Sequence, residues 1–506
     1  MKMKVFLTGA TGVMGTETLH ALMRLEPMPE IILLVRESKK NIKKLKNIID
    51  HPKVSVIYGD LRDRYAVGRG VAHADVVLHV GGMVSPKADY NPKLTLEVNT
   101  KGMKNIVEAA AKRPADNQPA VVYIGSVAQY GPREAEEHWC RTGDPLVPAD
   151  HDMYALSKIQ AERILAESGL RRWVSLRQTG ILYPALLFNG TDPITFHVPL
   201  AGVLEWTTAE ESGALLANLC RKYADHSLPE SFWRHFYNIG SGEAFRLSNY
   251  EFEQKLLKTL SCPPPEKIFD TRWFASRNFH GAWFSDSDRL EEFIPFRSGQ
   301  SPDEYFRFMA SKLPAYFKLA GIVPSFLIKM GMKRIAKKKG MGTLSWLRDG
   351  NEEKIRSYYG SREAFESIPG WKDFPLDVPS KQNRKLSHGY DESKPFDSLT
   401  IADMRKAAEF RGGKCLSPAP ESDNDSLTED EIPVKPYAPL EWECAFGHRF
   451  KASPATVLLG GHWCPDCLSD SSAYPREASR NPFMAQAWLS THGKEEIPSS
   501  ANKEID

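Results

Sequence analysis

The sequence predicts an α/β protein: a doubly wound parallel sheet, then a helical extension, then a small Cys/His-rich unit. Short apolar runs alternate with amphipathic patterns over roughly the first 260 residues. Strand, helix and strand in that order call for a parallel sheet covered on both faces. A glycine-rich turn follows the first run at once, and two short Cys/His pairs stand late in the chain. These three observations carry the prediction.

Taken in order, residues 5–7, 31–35, 54–58, 76–80, 121–124 and 173–176 read as buried strands, with 236–239 as a later one. Residues 16–25, 101–112 and 249–260 read as helices between them. Residues 300–348 are helical and partly basic, and 351–398 are rich in Pro, Gly and charge. A helix over 401–411 precedes Gly412-Gly413. Residues 421–431 hold six acids and no base, which predicts a flexible linker or loop. A small aromatic and Cys-rich unit covers 436–468, and the end after Asn502 is expected to fray.

Composition sets bounds. The 506 residues are 42% hydrophobic and 26% charged, enough for two or three cores. Lys and Arg number 66 and Asp and Glu 64, a formal net charge of +2. A global attraction to nucleic acid is thereby excluded, although local patches are not. Seven scattered cysteines make no disulfide framework. The apolar run after the basic start breaks at Thr8-Gly9, so no secretory leader is expected, and no apolar stretch approaches the roughly 18 residues of a membrane span. The expected location is cytoplasmic.

Thr8-Gly9-Ala10-Thr11-Gly12-Val13-Met14-Gly15 leaves the first strand and opens the first helix. A pyrophosphate on a helix N-terminus needs a sharp turn at Gly9, close backbone approach at Gly12 and tight helix–strand packing at Gly15. Thr11, Val13 and Met14 complete this candidate dinucleotide cradle. The second strand ends in Leu33-Leu34-Val35-Arg36, where an acid commonly binds the ribose hydroxyl. Arg36 can pair with a 2′-phosphate but cannot accept from a hydroxyl, which favours NADP over NAD; a solvated loop arginine is the alternative. Asp60 and Leu61 are expected near the adenine, and His79 to Gly82, with Gly81 central, where cofactor lies close to backbone.

Tyr154 and Lys158 stand at i and i+4 on one helix face. An ammonium one turn away is expected to bring the phenol toward working range. Ser126, ending a strand, can hydrogen-bond a substrate oxygen beside Tyr154, and Asn99 can hold a water in a relay to Lys158.

These pieces, with Tyr183-Pro184 and residues 237–242, resemble an extended short-chain dehydrogenase/reductase of the NAD-dependent epimerase/dehydratase type, over about residues 1–300. The resemblance implies a Rossmann sheet with a smaller substrate region, a nicotinamide cofactor, Tyr154 as proton donor or acceptor, Lys158 on the nicotinamide ribose and Ser126 polarising the reacting oxygen. Gly81-Gly82 replaces a more usual Ala-Ala pair. The 33–36 segment also resembles NADPH-dependent reductases of acyl thioesters. His197, Trp206, Phe279, His280, Trp283 and Phe284 fall where this family builds its substrate pocket; core packing explains each one equally well.

Residues 314–339 mix apolar residues with charge, and 329–339 hold six bases and no acid. The preferred reading is a helix covering the enzyme domain with solvated lysines; peripheral contact with an anionic membrane, or steering of an anionic substrate, is the other.

Cys444 and His448, then Cys464 and Cys467, fit a structural tetrahedral zinc site. Residues 399–468 resemble zinc-ribbon-like modules in their Gly-Gly-x-Cys-Leu-Ser, Cys-x-x-Gly-His and Trp-Cys-Pro-x-Cys pieces, with 421–431 inserted. The organisation expected is enzyme at 1–300, helical and irregular extension at 301–398, zinc-ribbon-like module at 399–470 and tail at 471–506. The leading function is an NAD(P)-dependent oxidoreductase acting on a small-molecule carbonyl or hydroxyl. The alternatives are a nucleotide-sugar epimerase or dehydratase, and a non-catalytic scaffold acting through a protein partner of the zinc module. Nucleic acid is not an expected partner; an oligomer is left open.

Overall fold

The computed structural model describes residues 3–133, 137–314, 321–376, 382–419 and 432–497, with the side chains of 188–191 outside that description. The acidic stretch 421–431, residues 315–320 and the end after Asn502 lie outside the described residues.

Seven strands form one parallel sheet: β1 (Lys4–Thr8), β2 (Glu30–Val35), β3 (Val54–Tyr58), β4 (Val76–His79), β5 (Ala120–Ser126), β6 (Trp173–Gln178) and β7 (His235–Ile239). Their order is β7-β6-β5-β4-β1-β2-β3. Each was expected from its apolar run. Side chains alternate between the two faces: Val5 and Leu7 enter one core with Leu78 and Val122, and Phe6 enters the other with Val77 and Val121. Helices α1 (Val13–Met23) and α5 (Ala209–Ala224) cover the first face. Helices α2 (Arg64–Val71), α3 (Pro92–Ala111) and α4 (Met153–Ala166) cover the second. The strand order reverses between β1 and β4, and the crevice at their carboxyl ends is where such sheets bind ligands.

A third core joins α6 (Asn249–Thr259) to α7 (Pro302–Ser311) and α8 (Ser325–Ala336), through Phe196, Phe252, Leu256, Trp273, Phe306 and Ala336. The extension thus packs on the region around α6. Residues 471–506 were expected as a tail. The described part is folded instead: Tyr474, Ala478, Met484 and Trp488 pack against Val147 and Leu386.

The Cys/His unit has α10 (Ile401–Phe410) and a three-stranded antiparallel sheet, β8 (Lys414–Cys415), β9 (Leu440–Glu443) and β10 (Arg449–Ala452). It is bonded to α4. Arg163 donates to the Trp463 carbonyl at 2.7 Å and the Lys451 carbonyl at 3.0 Å, and Glu167 accepts from Ser453 N and Oγ. Beneath these contacts lies a fully buried hub. Arg177 donates to both Glu162 oxygens, at 3.1 and 2.7 Å, to Tyr130 Oη at 2.8 Å and to the Gly460 carbonyl at 2.6 Å. His462 Nε2 and Ser175 Oγ complete the Glu162 carboxylate at 2.8 and 2.6 Å. Tyr130 passes the chain on to Asn238 and then Asp286. Burial by itself would push the Glu162 carboxyl up, but Arg177 and His462 outweigh it and hold the group below the usual carboxylate range.

Deleting one partner of such a pair leaves a buried charge alone. Glu162→Ala is expected to cost on the order of 3–5 kcal/mol, read as a drop in urea midpoint.

Candidate functional site

The turn after β1 is built as its glycines require. Gly9 has φ +79°, and a Cβ there would stand 2.6 Å from Gly81 N. A Cβ on Gly15 would stand 2.1 Å from the Gly9 carbonyl oxygen, so only glycine lets α1 start this close to β1. Gly12 is the N-cap of α1 and offers its amides no side-chain partner. Open amides at the sheet's switch point suit a phosphate. Buried Gln178 Oε1 and Thr179 Oγ1, beside Ser126 at the carboxyl edge of the sheet, also have no hydrogen-bond partner among the described residues. The residues present therefore fit a dinucleotide laid across this edge.

Thr8 knits the two sides of the crevice: its Oγ1 accepts from Gly81 N at 3.0 Å and hydrogen-bonds His79 Nδ1 at 2.9 Å. Burial, reinforced by the Lys158 charge, drops the His79 pKa to about 3, so the ring stays neutral. Arg36 is exposed just past β2 and electrostatically coupled to Asp60. Asp60 is bonded to Arg62 through Nε at 2.8 Å and through the backbone amide at 3.0 Å. Leu61 lies against α3, where a Cβ on Gly102 would meet it at 3.1 Å. Sequence reading missed Lys44, whose Nζ donates to the Thr11 carbonyl at 2.8 Å and adds a cation to the turn.

Ser126, Tyr154 and Lys158 come together. Asp152 caps α4 by accepting from Ala155 N at 2.8 Å, which fixes Tyr154 in the first turn. Ser126 ends β5, held by Gln129 Oε1 on its amide, and its hydroxyl hydrogen-bonds that of Tyr154. Lys158 Nζ donates to the Ile124 carbonyl at 2.8 Å and stands 5.9 Å from the Tyr154 ring centre. Burial lowers the Lys158 pKa to about 8 against the supporting charge of Glu162. The expected drop in the Tyr154 pKa is not met in this arrangement. Burial, aided by Asp152 and Asp89, raises the phenol to about 12 against the Ser126 hydrogen bond. Lys158 is directed at a carbonyl rather than at the phenol.

Both Asn99 amide protons are used inside the protein, on Ser157 Oγ at 2.8 Å and the Met83 carbonyl at 3.1 Å, while Oδ1 accepts from Met83 N at 2.8 Å. Asn99 pins the Gly82–Met83 segment beside Lys158.

Of the aromatic candidates, Trp283 and Phe284 are core, and Trp206 stacks on Phe252 at 4.5 Å. His197 is half-buried, close to Trp346 and Tyr358. Phe279 stacks on His280, whose Nδ1 is 3.6 Å from Asp152 Oδ2. A missed contribution comes from the extension: helix α9 (Glu352–Tyr359) brings Lys354 and Tyr358 into the electrostatic neighbourhood of Asp89 and the Asp150–Asp152 turn. Nothing in the composition of 351–398 signals that proximity.

Cys444 follows β9 and opens a turn, His448 precedes β10, and Cys464 caps a short helical turn (Pro465–Leu468) that contains Cys467. Their four ligand atoms all lie within 4.8 Å of one another. The Cys444–Cys467 sulfurs are 3.7 Å apart, and His448 Nδ1 is 3.6 and 3.4 Å from the Cys464 and Cys467 sulfurs. Tetrahedral zinc with Zn–S near 2.3 Å requires edges of about 3.8 Å between sulfurs. The donor set therefore fits. Cys415 lies outside it.

Comparison with known proteins follows this geometry. 3 beta-hydroxysteroid dehydrogenase type 7 of Homo sapiens is 27% identical over 191 residues, 36% of this chain and 50% of that protein. UDP-N-acetylglucosamine 4,6-dehydratase (inverting) of Campylobacter jejuni is 27% identical over 109 residues, 21% of this chain and 32% of that protein. The chain thus spans half or less of the length of these curated relatives. The solved dTDP-glucose 4,6-dehydratase of Bacillus anthracis, in complex with NAD, is 15% identical, with a TM-score of 0.49, over 61% of this chain and 96% of that one. Residues 5–177 match the model of the NAD dependent epimerase/dehydratase family.

Proposed function

We propose that the protein is an NAD(P)-dependent oxidoreductase acting on a carbonyl or hydroxyl at the Ser126–Tyr154–Lys158 site. The observation that carries this reading is the convergence of those three side chains at the carboxyl edge of β5, beside the glycine turn. A bound nicotinamide would exchange hydride with the substrate carbon. The Ser126 hydroxyl would hydrogen-bond the substrate oxygen, and Tyr154 Oη would pass its proton to that oxygen. Lys158 would supply the positive charge that makes the phenol a better acid once its ammonium swings from the Ile124 carbonyl. Arg36 and Lys44 support a 2′-phosphate, hence NADP.

A second reading, a nucleotide-sugar epimerase or dehydratase, draws support from the family that residues 5–177 match. Such an enzyme regenerates its cofactor within each turnover. Stoichiometric NADPH consumption with a ketone or thioester supports the oxidoreductase; cofactor that co-purifies without net turnover supports the second reading.

Tyr154→Phe keeps the ring and removes only the acid. Its kcat is expected to fall at least about 100-fold with the melting curve unchanged; near-normal turnover refutes the assignment. Activity that needs the Lys158 ammonium should decline as pH rises through about 8, its lowered value. In kcat/KM profiles Lys158→Arg should move that limb upward, because guanidinium stays charged. Cys444, His448, Cys464 and Cys467 are assigned to structural zinc, which holds the module together and opens no position for water. About one zinc per chain should appear in elemental analysis, and Cys464→Ser should remove it and lower Tm; metal-free, fully folded protein rejects the assignment.

A further inference from the structure

Helix α8 (Ser325–Ala336) lies on the outside of the molecule. Its inner face is occupied: Ile328, Met332, Ile335 and Ala336 pack on the core around Phe196, Trp273 and Phe306. Its outer face is not apolar by accident of one residue. Ile322 is 75% and Phe326 67% exposed, and Val323, Leu327 and Met330 are exposed beside them. Phe326, Met330, Lys333 and Lys337 succeed one another at helical spacing. The outer stripe is therefore apolar in its first half and basic in its second, where Lys333, Arg334, Lys337, Lys338 and Lys339 are all exposed. The expected core-covering role explains only the inner face.

We propose that this face docks the protein on an anionic lipid surface. The occupant must take up clustered apolar side chains and bind cations at the same time. A second copy of the chain fits poorly, because a twofold contact pairs this patch with itself and residues 322–339 hold no acid to meet the bases. Nucleic acid would meet the bases but leave Ile322 and Phe326 in water. The chain's own 421–431 segment carries six acids but only Leu427 as an apolar residue, so it matches half of the patch. A bilayer with anionic headgroups matches both halves: the apolar side chains enter the interfacial zone while the bases stay at headgroup level. The twelve-residue helix is about 18 Å long, too short to cross a hydrocarbon core of about 30 Å, so it lies in the interface. No helix among the described residues is long and apolar enough to span.

The test is co-sedimentation of the full chain with vesicles of pure phosphatidylcholine and of equal parts phosphatidylcholine and phosphatidylserine. Binding is expected only to the second, weakening as salt is raised. Replacing Lys337, Lys338 and Lys339 together by Ala should lower partitioning roughly 100-fold at low salt, at about fivefold per charge. Ile322→Asp with Phe326→Asp should abolish it at every salt concentration. Both sets change water-exposed side chains, so melting curves should overlay the parent's. Failure of the parent to prefer anionic vesicles overturns the proposal, as does binding that neither variant set weakens. A solution dimer that Phe326→Asp converts to monomer also overturns it and gives the face to a second copy.

Discussion

The Arg177–Glu162 pair is the constraint on which much of the molecule depends. It is a bidentate ion pair without solvent contact, and four further groups, from Tyr130, Gly460, His462 and Ser175, hydrogen-bond to it. Glu162 stands one turn past Lys158 on the helix that carries Tyr154. Arg177 lies on β6 beside β5, the strand that ends in Ser126. Tyr130 and Asn238 lead to Asp286, while Gly460 and His462 belong to the Cys/His region. A low dielectric makes such a network costly to leave incomplete, so its parts hold one another in register.

That placement gives the Cys/His unit a physical relation to the site. The four Cys and His side chains converge at the turn that holds Cys464, and two residues earlier His462 reaches Glu162. Glu162 in turn supports the Lys158 charge, which burial would otherwise weaken. Arg163 and Glu167 bind the same unit from the outer face of α4. The module is therefore fastened along the helix that bears the candidate acid.

The sheet was legible because buried parallel strands are short continuous apolar runs, and all seven appear where those runs stand. The glycine turn was legible because its glycines are dictated by backbone approach, which any sequence must meet in the same way. The converging Cys444, His448, Cys464 and Cys467 were legible because a chelate needs close pairs of ligands along the chain. The state of Tyr154 was not: i, i+4 spacing predicts proximity to Lys158, but whether burial or the cation dominates depends on what surrounds the phenol. Nor was the contribution of Lys354 and Tyr358, more than 190 residues from Tyr154 in the chain.

By itself the sequence determined the sheet, the glycine turn and the close Cys/His pairs, because each is written in local periodicity or short spacing. Tertiary structure alone decided that residues 471–497 fold, that α9 flanks the candidate site, that α8 keeps an apolar face in water, and that His462 completes Glu162. Those outcomes turn on contacts between segments far apart in the chain, whose burial and electrostatics no local pattern encodes.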